Sequence, residues 1–384
     1  MVVLLEEGAA ADASERIARV TGRPVAETRA ASGGILSAEE IERGSGLIFS
    51  DLDVAVVELD DRQAATLAAE AEGVVAIEPE RIVTVDDDPG TPGPIAGEVD
   101  EAAVTWGLQA VGVSESDASG SGVAVAVLDT GIDRDHPDFE AGRVVARSFI
   151  EGQDPQDGHG HGTHCIGTAC GPASPAQGPR YGVAPDAQIY AGKVLSDGGS
   201  GTDAGILAGI EWALGSGCQI VSMSLGARVR PGDAPSQVFE TVARRALRRD
   251  TLLVAAAGND SRRQQGFIVP VSHPANCPSI LAVGAVDSDL RVADFSNRGI
   301  DQTGGQLDFA APGVDVYSAW KMPTRYNTIS GTSMATPHVA GVLALLADAN
   351  PNASAEELTA LAFRTAQRLE SPSWDVGAGL IQAP

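Results

Sequence analysis

The chain has 384 residues, of which 43% are hydrophobic, enough for one large domain with a smaller one or for two of medium size. It carries 52 acidic and 26 basic residues, a formal net charge of −26. Because so acidic a surface lacks the positive field that phosphates need, the composition excludes nucleic acid and anionic membranes as partners.

The first 85 residues are predicted to form a small α+β unit. Short apolar or alternating runs predict strands, and two runs rich in Ala and Glu predict helices. The predicted strands are Val2–Leu5, Asp53–Leu59, Val74–Ile77 and Ile82–Val85, and the predicted helices are Ala11–Thr21 and Asp61–Glu72.

Residues 86–103 interrupt this pattern. They begin with three aspartates and continue with Pro89, Gly90 and further prolines and glycines. Such a composition resists regular structure and predicts an exposed linker, the kind of segment that proteases cut.

From Val104 to the end, apolar strands alternate with helices. Strands without polar alternation, separated by helices, indicate a doubly wound α/β domain whose mostly parallel sheet is covered on both faces. In such sheets, sites form at the carboxyl ends of the strands. The predicted strands are Val123–Leu128, Gln188–Val194, Ile220–Ser224, Leu252–Ala256 and Ile280–Val283, and the predicted helices are Thr163–Ala169, Asp203–Leu214, Ser236–Arg249 and Thr332–Ala347.

Asp129 follows an apolar strand directly, in the segment VAVAVLDTGID. A buried carboxylate needs a partner, because an isolated one is costly to desolvate. The segment alone leaves two interpretations open: a catalytic acid, or a cap for the turn that Thr130 and Gly131 begin.

His161 lies among glycines in GHGHGTHCIG, where close backbone approach is allowed. A neutral histidine beside an acid and a hydroxyl is what a general base requires. Three histidines in one segment also suggest metal binding, although His159 and His161 are only two apart and no HExxH pattern is present.

Ser333 stands at a glycine-rich start of an apolar helix, in SGTSMATPHVAG. Free N–H groups and the helix dipole favour negative charge there, so a serine at this place can attack and its own N–H can bind an oxyanion. Taken alone, such a serine is commonly a helix N-cap, and that interpretation stays open.

The three segments together, in the order Asp, His, Ser, resemble the subtilase family, including its proteinase K-like members, from Val104 to Gln382. The resemblance implies that Ser333 is the nucleophile of a serine endopeptidase, that His161 is its general base and then acid, and that Asp129 orients the imidazole. It also implies that Asn259, in AAAGN, completes an oxyanion hole with the Ser333 N–H.

Two segments, Gly199–Thr202 and Ser224–Gly226, resemble the strands with which the family flanks an extended peptide. Backbone pairing of this kind reads little sequence, which predicts broad cleavage of polypeptides. Asp260 is expected at the pocket rim, and the loop from Ser261 to His273 leaves the pocket shape open. The substrate-binding residues implied are Gly199, Ser200, Gly201, Ser224, Leu225, Gly226, Ala257 and Gly258.

The resemblance implies no cofactor for the chemistry, but it does suggest a structural Ca²⁺. Asp308, with the carbonyls of Pro278 and Ile280, resembles one calcium site of the family, since hard oxygen ligands suit this ion. A plain turn role for Asp308 stays open. Gly171–Arg180 lacks the Asn-rich loop that builds a second site.

Residues 1–85 resemble the ferredoxin-like propeptide of subtilases, most clearly in GVVAIEPERIV at Gly73–Val83. The resemblance implies an intramolecular inhibitor that assists folding and lays its last strand in the cleft. We expect self-cleavage within Val85–Gly90, inside the linker, and a monomeric product. A mere stability module is the alternative.

The remaining alternatives concern compartment and activity. No apolar run approaches the ~18 residues of a membrane helix, and Met1–Glu7 lacks the basic region of a signal peptide. Family habit favours an extracellular enzyme, with a cytoplasmic one as the alternative. A processing protease, a peptide ligase and an inactive binding protein on the same fold are the rival functions. Cys165 and Cys170 are not expected to pair, while Cys218 and Cys277 are left open.

Overall fold

The computed structural model describes residues 1–28, 46–70, 73–85, 99–299 and 305–384. Of the expected self-cleavage segment, residues 86–90 lie outside these ranges. Residues 100–103, assigned to the linker from sequence, already contact the C-terminal unit: the Ala103 carbonyl accepts the Arg180 N–H, and the Asp100 carbonyl accepts the Gln109 amide.

The N-terminal unit is a five-stranded sheet with two helices packed against it. Its strand order is β2-β3-β4-β1-β5, with β1 antiparallel to both of its neighbours. A β-α-β-β-α-β core with β1 in the interior is the ferredoxin-like arrangement. Its elements are β1 (Val2–Leu5), α1 (Ala10–Thr21), β2 (Ala26–Glu27), β3 (Gly46–Phe49), β4 (Val54–Val57), α2 (Asp61–Glu70) and β5 (Val74–Glu78).

The C-terminal unit is built on a seven-stranded sheet in which every pair is parallel, in the order β14-β13-β12-β11-β7-β9-β8. This confirms the doubly wound α/β prediction. Its elements are α3 (Trp106–Ala110), β7 (Ala124–Asp129), β8 (Val144–Ser148), α4 (His161–Cys170), β9 (Gln188–Lys193), β10 (Ser200–Thr202), α5 (Asp203–Gly215), β11 (Ile220–Met223), α6 (Gln237–Leu247), β12 (Leu252–Ala256), β13 (Leu281–Val286), β14 (Phe309–Pro312), β15 (Val316–Ala319), β16 (Tyr326–Ile329), α7 (Thr332–Ala349), α8 (Ala355–Thr365) and α9 (Ser373–Val376).

Two apolar layers cover the sheet. On one face α4 and α7 share a cluster that includes Ile166 and Val339, and on the other α5 and α6 share a cluster that includes Ile206 and Val242. Edge strands β8 and β14, the β15–β16 hairpin and α8 were not predicted. None of the described helices is long and apolar enough to cross a membrane.

The N-terminal sheet packs against α5 and α6 of the C-terminal unit, and apolar side chains of β1, β3 and β4 join their cluster. Polar contacts fix this interface: the Arg245 guanidinium donates to the carbonyls of Leu5, at 3.2 Å, and Leu52, and the Glu211 carboxylate accepts the Asp51 N–H at 3.0 Å. Burial raises the pKa of Glu211. The last strand, β6 (Ile82–Thr84), leaves the N-terminal sheet and pairs with β10.

Candidate active site

Asp129 and His161 meet at the carboxyl end of the central strands. Asp129 ends β7 and His161 begins α4, and the Nδ1 of His161 lies 2.7 Å from the Oδ1 of Asp129. Both side chains are buried. Because a carboxylate only accepts, Nδ1 of a neutral ring carries the proton and Nε2 is the nitrogen that can receive one.

Asp157 organises the turn that leads into α4. Its Oδ1 accepts the Thr130 hydroxyl and the N–H groups of His159 and Gly160 at 2.7–2.9 Å, and its Oδ2 accepts the N–H and hydroxyl of Thr163 at 2.9 and 2.6 Å. Gly160 has a φ of 110°, which an L side chain rarely adopts. One buried carboxylate therefore joins the end of β7 to the start of α4, a role the sequence analysis missed.

The two lysines of the chain stabilise the same turn through hydrogen bonds. The buried Lys193, at the end of β9, donates to the Thr130 carbonyl at 2.6 Å and to the Asp197 carboxylate at 2.7 Å. Asp197 also accepts the Gly158 N–H at 3.0 Å, and Lys321 donates to the Gly158 carbonyl. The bond from Lys193 holds the pKa of Asp197 below its usual range.

Ser333 is the second residue of α7, next to α4. Its hydroxyl lies 3.4 Å from the Ser224 carbonyl, and the Ser224 hydroxyl donates to the Ser333 carbonyl at 2.7 Å. The Cys165 Sγ lies 3.8 Å from His161 Nδ1 and 3.5 Å from the Ser333 carbonyl. His161 and Ser333 thus lie on either side of one buried thiol.

Asp129, His161 and Cys165 also form a group of side chains of the types that ligate metals. Burial raises the pKa of Cys165 to about 11, so without a bound cation this residue is a thiol at neutral pH. The geometry instead suits a carboxylate that orients the His161 ring and stabilises positive charge on it, with the Cys165 thiol beside them.

Asn259 and the Ser333 N–H flank one small space. The Asn259 side-chain oxygen accepts the N–H and hydroxyl of Thr332, both at 2.9 Å, which fixes the amide. A Cβ built on Gly331 would lie 3.2 Å from Asn259 Nδ2 and 3.6 Å from the Ser333 nitrogen. Glycine leaves this space open, and two N–H donors border it, as an oxyanion site requires.

Strand β6 lies between two walls beside this centre. On one side it pairs antiparallel with β10, and the Val85 N–H donates to the Gly199 carbonyl at 3.0 Å. On the other side, Thr84 exchanges two backbone hydrogen bonds with Gly226, at 2.9 and 3.1 Å. Of the predicted substrate-binding residues, Gly199, Ser200, Gly201 and Gly226 pair with or hydrogen-bond to this strand.

Ala257 and Gly258 support the Asn259 loop. Ala257 donates its N–H to Val283 and accepts the Ser272 N–H, while the Gly258 N–H donates to the Thr332 hydroxyl at 3.1 Å. Asn297 stabilises the same loop through hydrogen bonds. Its Oδ1 accepts the Asp260 and Ser261 N–H groups, both at 3.1 Å, and its amide donates to the Asp260 carboxylate at 3.1 Å.

The loop that follows is tied down by an ion-pair network. Arg263 and Arg298 both bind the buried Asp375 at the C-terminal α9, with Arg298 making two bonds of 3.0 and 2.8 Å. This loop is therefore held by a residue near the C-terminus, which the sequence pattern did not suggest.

Asp308 immediately precedes β14 and is half-buried. Its Oδ2 accepts the Ala282 N–H at 2.8 Å, and burial raises its pKa to about 7. A carboxylate in such surroundings is stabilised by a cation, so the donor type fits the calcium ligand expected at this position.

Comparison with known proteins agrees with this geometry. Residues 120–380 match the model of the subtilase family. The chain belongs to the subtilase family. It is 40% identical over 285 residues to Subtilisin Savinase of Lederbergia lenta, covering 73% of this chain and 97% of that protein. It is 40% identical over 263 residues to Subtilisin DY of Bacillus licheniformis, covering 68% and 89%.

An alkaline protease of Alkalihalobacillus alcalophilus is 40% identical over 285 residues, 73% of this subtilase and 69% of that relative. Family membership makes the chain a serine endopeptidase, a hydrolase of peptide bonds whose chemistry needs no cofactor. The structure brings Asp129, His161, Ser333 and Asn259 to one edge of the sheet of this subtilase. The described cysteines are all buried and free, which settles the open pairing of Cys218 and Cys277.

Proposed function

We propose that the chain is a self-inhibited zymogen of an endopeptidase that cleaves peptide bonds through an acyl-enzyme on Ser333. The observation that carries this proposal is the placement of β6 between β10 and Gly226, beside Asp129, His161 and Ser333. An extended peptide in that place presents a backbone carbonyl to the serine.

The chemistry follows from the site. Ser333 Oγ attacks the carbonyl carbon while His161 takes the hydroxyl proton, and Asp129 stabilises the imidazolium that forms. Asn259 Nδ2 and the Ser333 N–H bind the oxyanion. His161 then protonates the departing amine, and water attacks the acyl-enzyme by the reverse path, with His161 as base.

Residues 1–85 act as the inhibitor. Their last strand occupies the cleft, and two of their glutamates support the catalytic unit: Glu78 accepts the Gln237 N–H at 2.6 Å and Glu80 accepts the Ala204 N–H at 3.2 Å. Each carboxylate thereby neutralises a free donor at the start of α6 or α5. Cleavage within Val85–Gly90 converts this intramolecular ligand into one that can dissociate.

The substrates are extended polypeptides, and specificity is broad because recognition runs through backbone groups at Gly199, Gly201 and Gly226. The enzyme acts as a monomer in the extracellular space, and a Ca²⁺ held by Asp308 with the carbonyls of Pro278 and Ile280 stabilises it.

The test follows the mass and activity of the full chain. Wild type should split within Val85–Gly90 and then digest casein, while Ser333→Ala stays whole and inert. Thr328→Ala, an exposed hydroxyl change on β16, is the matched control and should behave as wild type. An equally active Ser333→Ala protein would refute the assignment.

Analysis of the products distinguishes the proposed endopeptidase from the alternative functions. A processing protease leaves casein largely intact and cuts few bonds in a peptide library, and a ligase joins peptides when an amine is supplied. An inactive binding protein neither splits nor digests.

A further inference from the structure

Asp203 and His273 form a buried pair beneath the strand that occupies the cleft. His273 Nε2 lies 3.0 Å from Asp203 Oδ1, and both side chains are almost completely inaccessible. Neither residue was assigned a functional role from the sequence. Neither residue belongs to the machinery described above.

The second carboxylate oxygen faces the strand. Asp203 Oδ2 accepts the Arg81 N–H at 3.0 Å, and the Asp203 N–H donates to the Arg81 carbonyl at 3.1 Å. These two bonds extend the β6–β10 ladder one step beyond the pair Thr202 and Ile82.

A side chain has to make this bond because of where Asp203 lies in the chain. Asp203 is the first residue of α5, and the carbonyl of a helix's first residue is directed along the helix toward the N–H four residues on. Its backbone carbonyl therefore cannot accept from a neighbouring strand. The carboxylate takes over that acceptor position, instead of capping its own helix.

His273 holds the carboxylate in place from the opposite wall. Its backbone exchanges two hydrogen bonds with Ala227, the residue after Gly226, at 2.9 and 3.0 Å. The Phe239 ring packs edge-on against the imidazole at a centroid distance of 4.6 Å. The pair thus connects the two walls of the cleft, and Val83 is buried in the apolar cluster next to it.

We propose that Asp203, oriented by His273, is a substrate-binding residue. It accepts the backbone N–H of the peptide residue that takes the place of Arg81, two positions before the residue that takes the place of Val83. The inference rests on the proposed function, since it takes β6 to lie where substrates lie. When the strand leaves, Asp203 Oδ2 borders the open cleft and the carboxylate is still held by His273, so peptides long enough to place an N–H there gain a charge-assisted hydrogen bond.

Asp203 recognises the backbone at this peptide position and not the side chain. The Arg81 guanidinium lies 3.7 Å from Glu78 in its own unit. The substrate class is therefore a polypeptide that reaches Asp203 with any residue except proline, which has no N–H to donate.

The test removes one N–H at a time. The full chain is incubated until it has cut itself, and the resulting enzyme is inhibited with a peptide copied from residues 79–86. In a second peptide an ester replaces the amide between Glu80 and Arg81, and in a third, the matched control, an ester replaces the amide between Val83 and Thr84.

Against the wild-type enzyme, the ester at Arg81 should raise the inhibition constant about tenfold, because a hydrogen bond to a charged acceptor is lost. Against Asp203→Ala the same ester should change the constant about twofold or less. The ester at Thr84 should cost the same in both proteins, because that N–H binds Gly226. Asp203→Asn, which keeps a neutral acceptor, should show a penalty between the two.

The inference is overturned if the Arg81 ester inhibits the wild-type enzyme as well as the amide does, or if it raises the inhibition constant equally in wild type and Asp203→Ala. In either case, a raised inhibition constant for the Thr84 ester still supports the proposed function. A chain that never cuts itself contradicts the proposed function instead. In that case amide exchange at Arg81 of the uncut Ser333→Ala chain decides: protection that Asp203→Ala abolishes supports the inference, and unchanged protection overturns it.

Discussion

The carboxylate of Asp157 accepts five hydrogen bonds from the turn that presents His161. An amide at this position has one acceptor oxygen, so Asp157→Asn places an NH₂ group against donors and leaves at least one of them unpaired. We expect a loss of about 2–4 kcal/mol in the free energy of unfolding, and a lower kcat because the Gly160 turn is released.

Denaturant unfolding in the Ser333→Ala background measures the stability, since self-digestion is then absent. The control is Asp154→Asn, which changes an exposed carboxylate of the same loop. Equal stability of the Asp157 and Asp154 variants would contradict the role given to Asp157.

In the proposed mechanism, Asn259 contributes to the reaction only when negative charge develops on the carbonyl oxygen. Its side-chain oxygen is bound by Thr332, so its amide nitrogen is the group directed at the oxyanion. Asn259→Ala should lower kcat by ~10²–10³ with KM nearly unchanged, a range carried over from subtilisin itself. Steady-state kinetics on a chromogenic peptide checks this, and a raised KM at constant kcat would instead indicate a role in ground-state binding.

At the scale of elements, Glu78 and Glu80 each cap a helix of the other unit. Replacing both with glutamine keeps the shape but removes the charge that the starts of α6 and α5 favour. Because capping groups contribute ~0.5–2 kcal/mol each, we expect about tenfold weaker retention of residues 1–85 after cleavage. The lag before casein hydrolysis should shorten accordingly, while Glu58→Gln, an exposed change in the same unit, should leave it unaltered.

Much of this architecture was predictable from local pattern. Continuous apolar runs identified the central strands β7, β9, β11, β12 and β13, because strands buried on both faces carry no polar alternation. The edge strands β8 and β14 were missed. Val144–Ser148 is only half-buried and contains Arg147, so its pattern resembles that of a loop.

The residues of the site also fall into those that a local pattern identifies and those that it does not. Asp129, His161, Ser333 and Asn259 stand in long motifs, so the resemblance identified them as candidate site residues. Asp157, Lys193 and the Asp203–His273 pair depend on partners brought together only by the fold, the last two being 70 residues apart in the chain. Isolated acidic residues and lysines carry no local signal of such pairing.

At the scale of the whole molecule, 52 acidic residues against 26 basic ones make the folded state repel itself. Screening shortens the range of that repulsion from about 30 Å at 0.01 M salt to about 3 Å at 1 M. The melting temperature of the full Ser333→Ala chain should therefore rise by several degrees between these concentrations, with NaCl and choline chloride alike, because the effect depends on ionic strength and not on the cation.

Millimolar CaCl₂ added at 1 M NaCl should raise the melting temperature again, because a specific ion bound only by the folded state stabilises it by mass action. Asp308→Asn should abolish this second increment and keep the first. Asp287→Asn, which changes a half-buried turn carboxylate that accepts N–H groups of its own loop, should keep both. A calcium increment that survives in Asp308→Asn would place the ion elsewhere, and the loss of both increments would mean that Asp308 serves the fold as a whole.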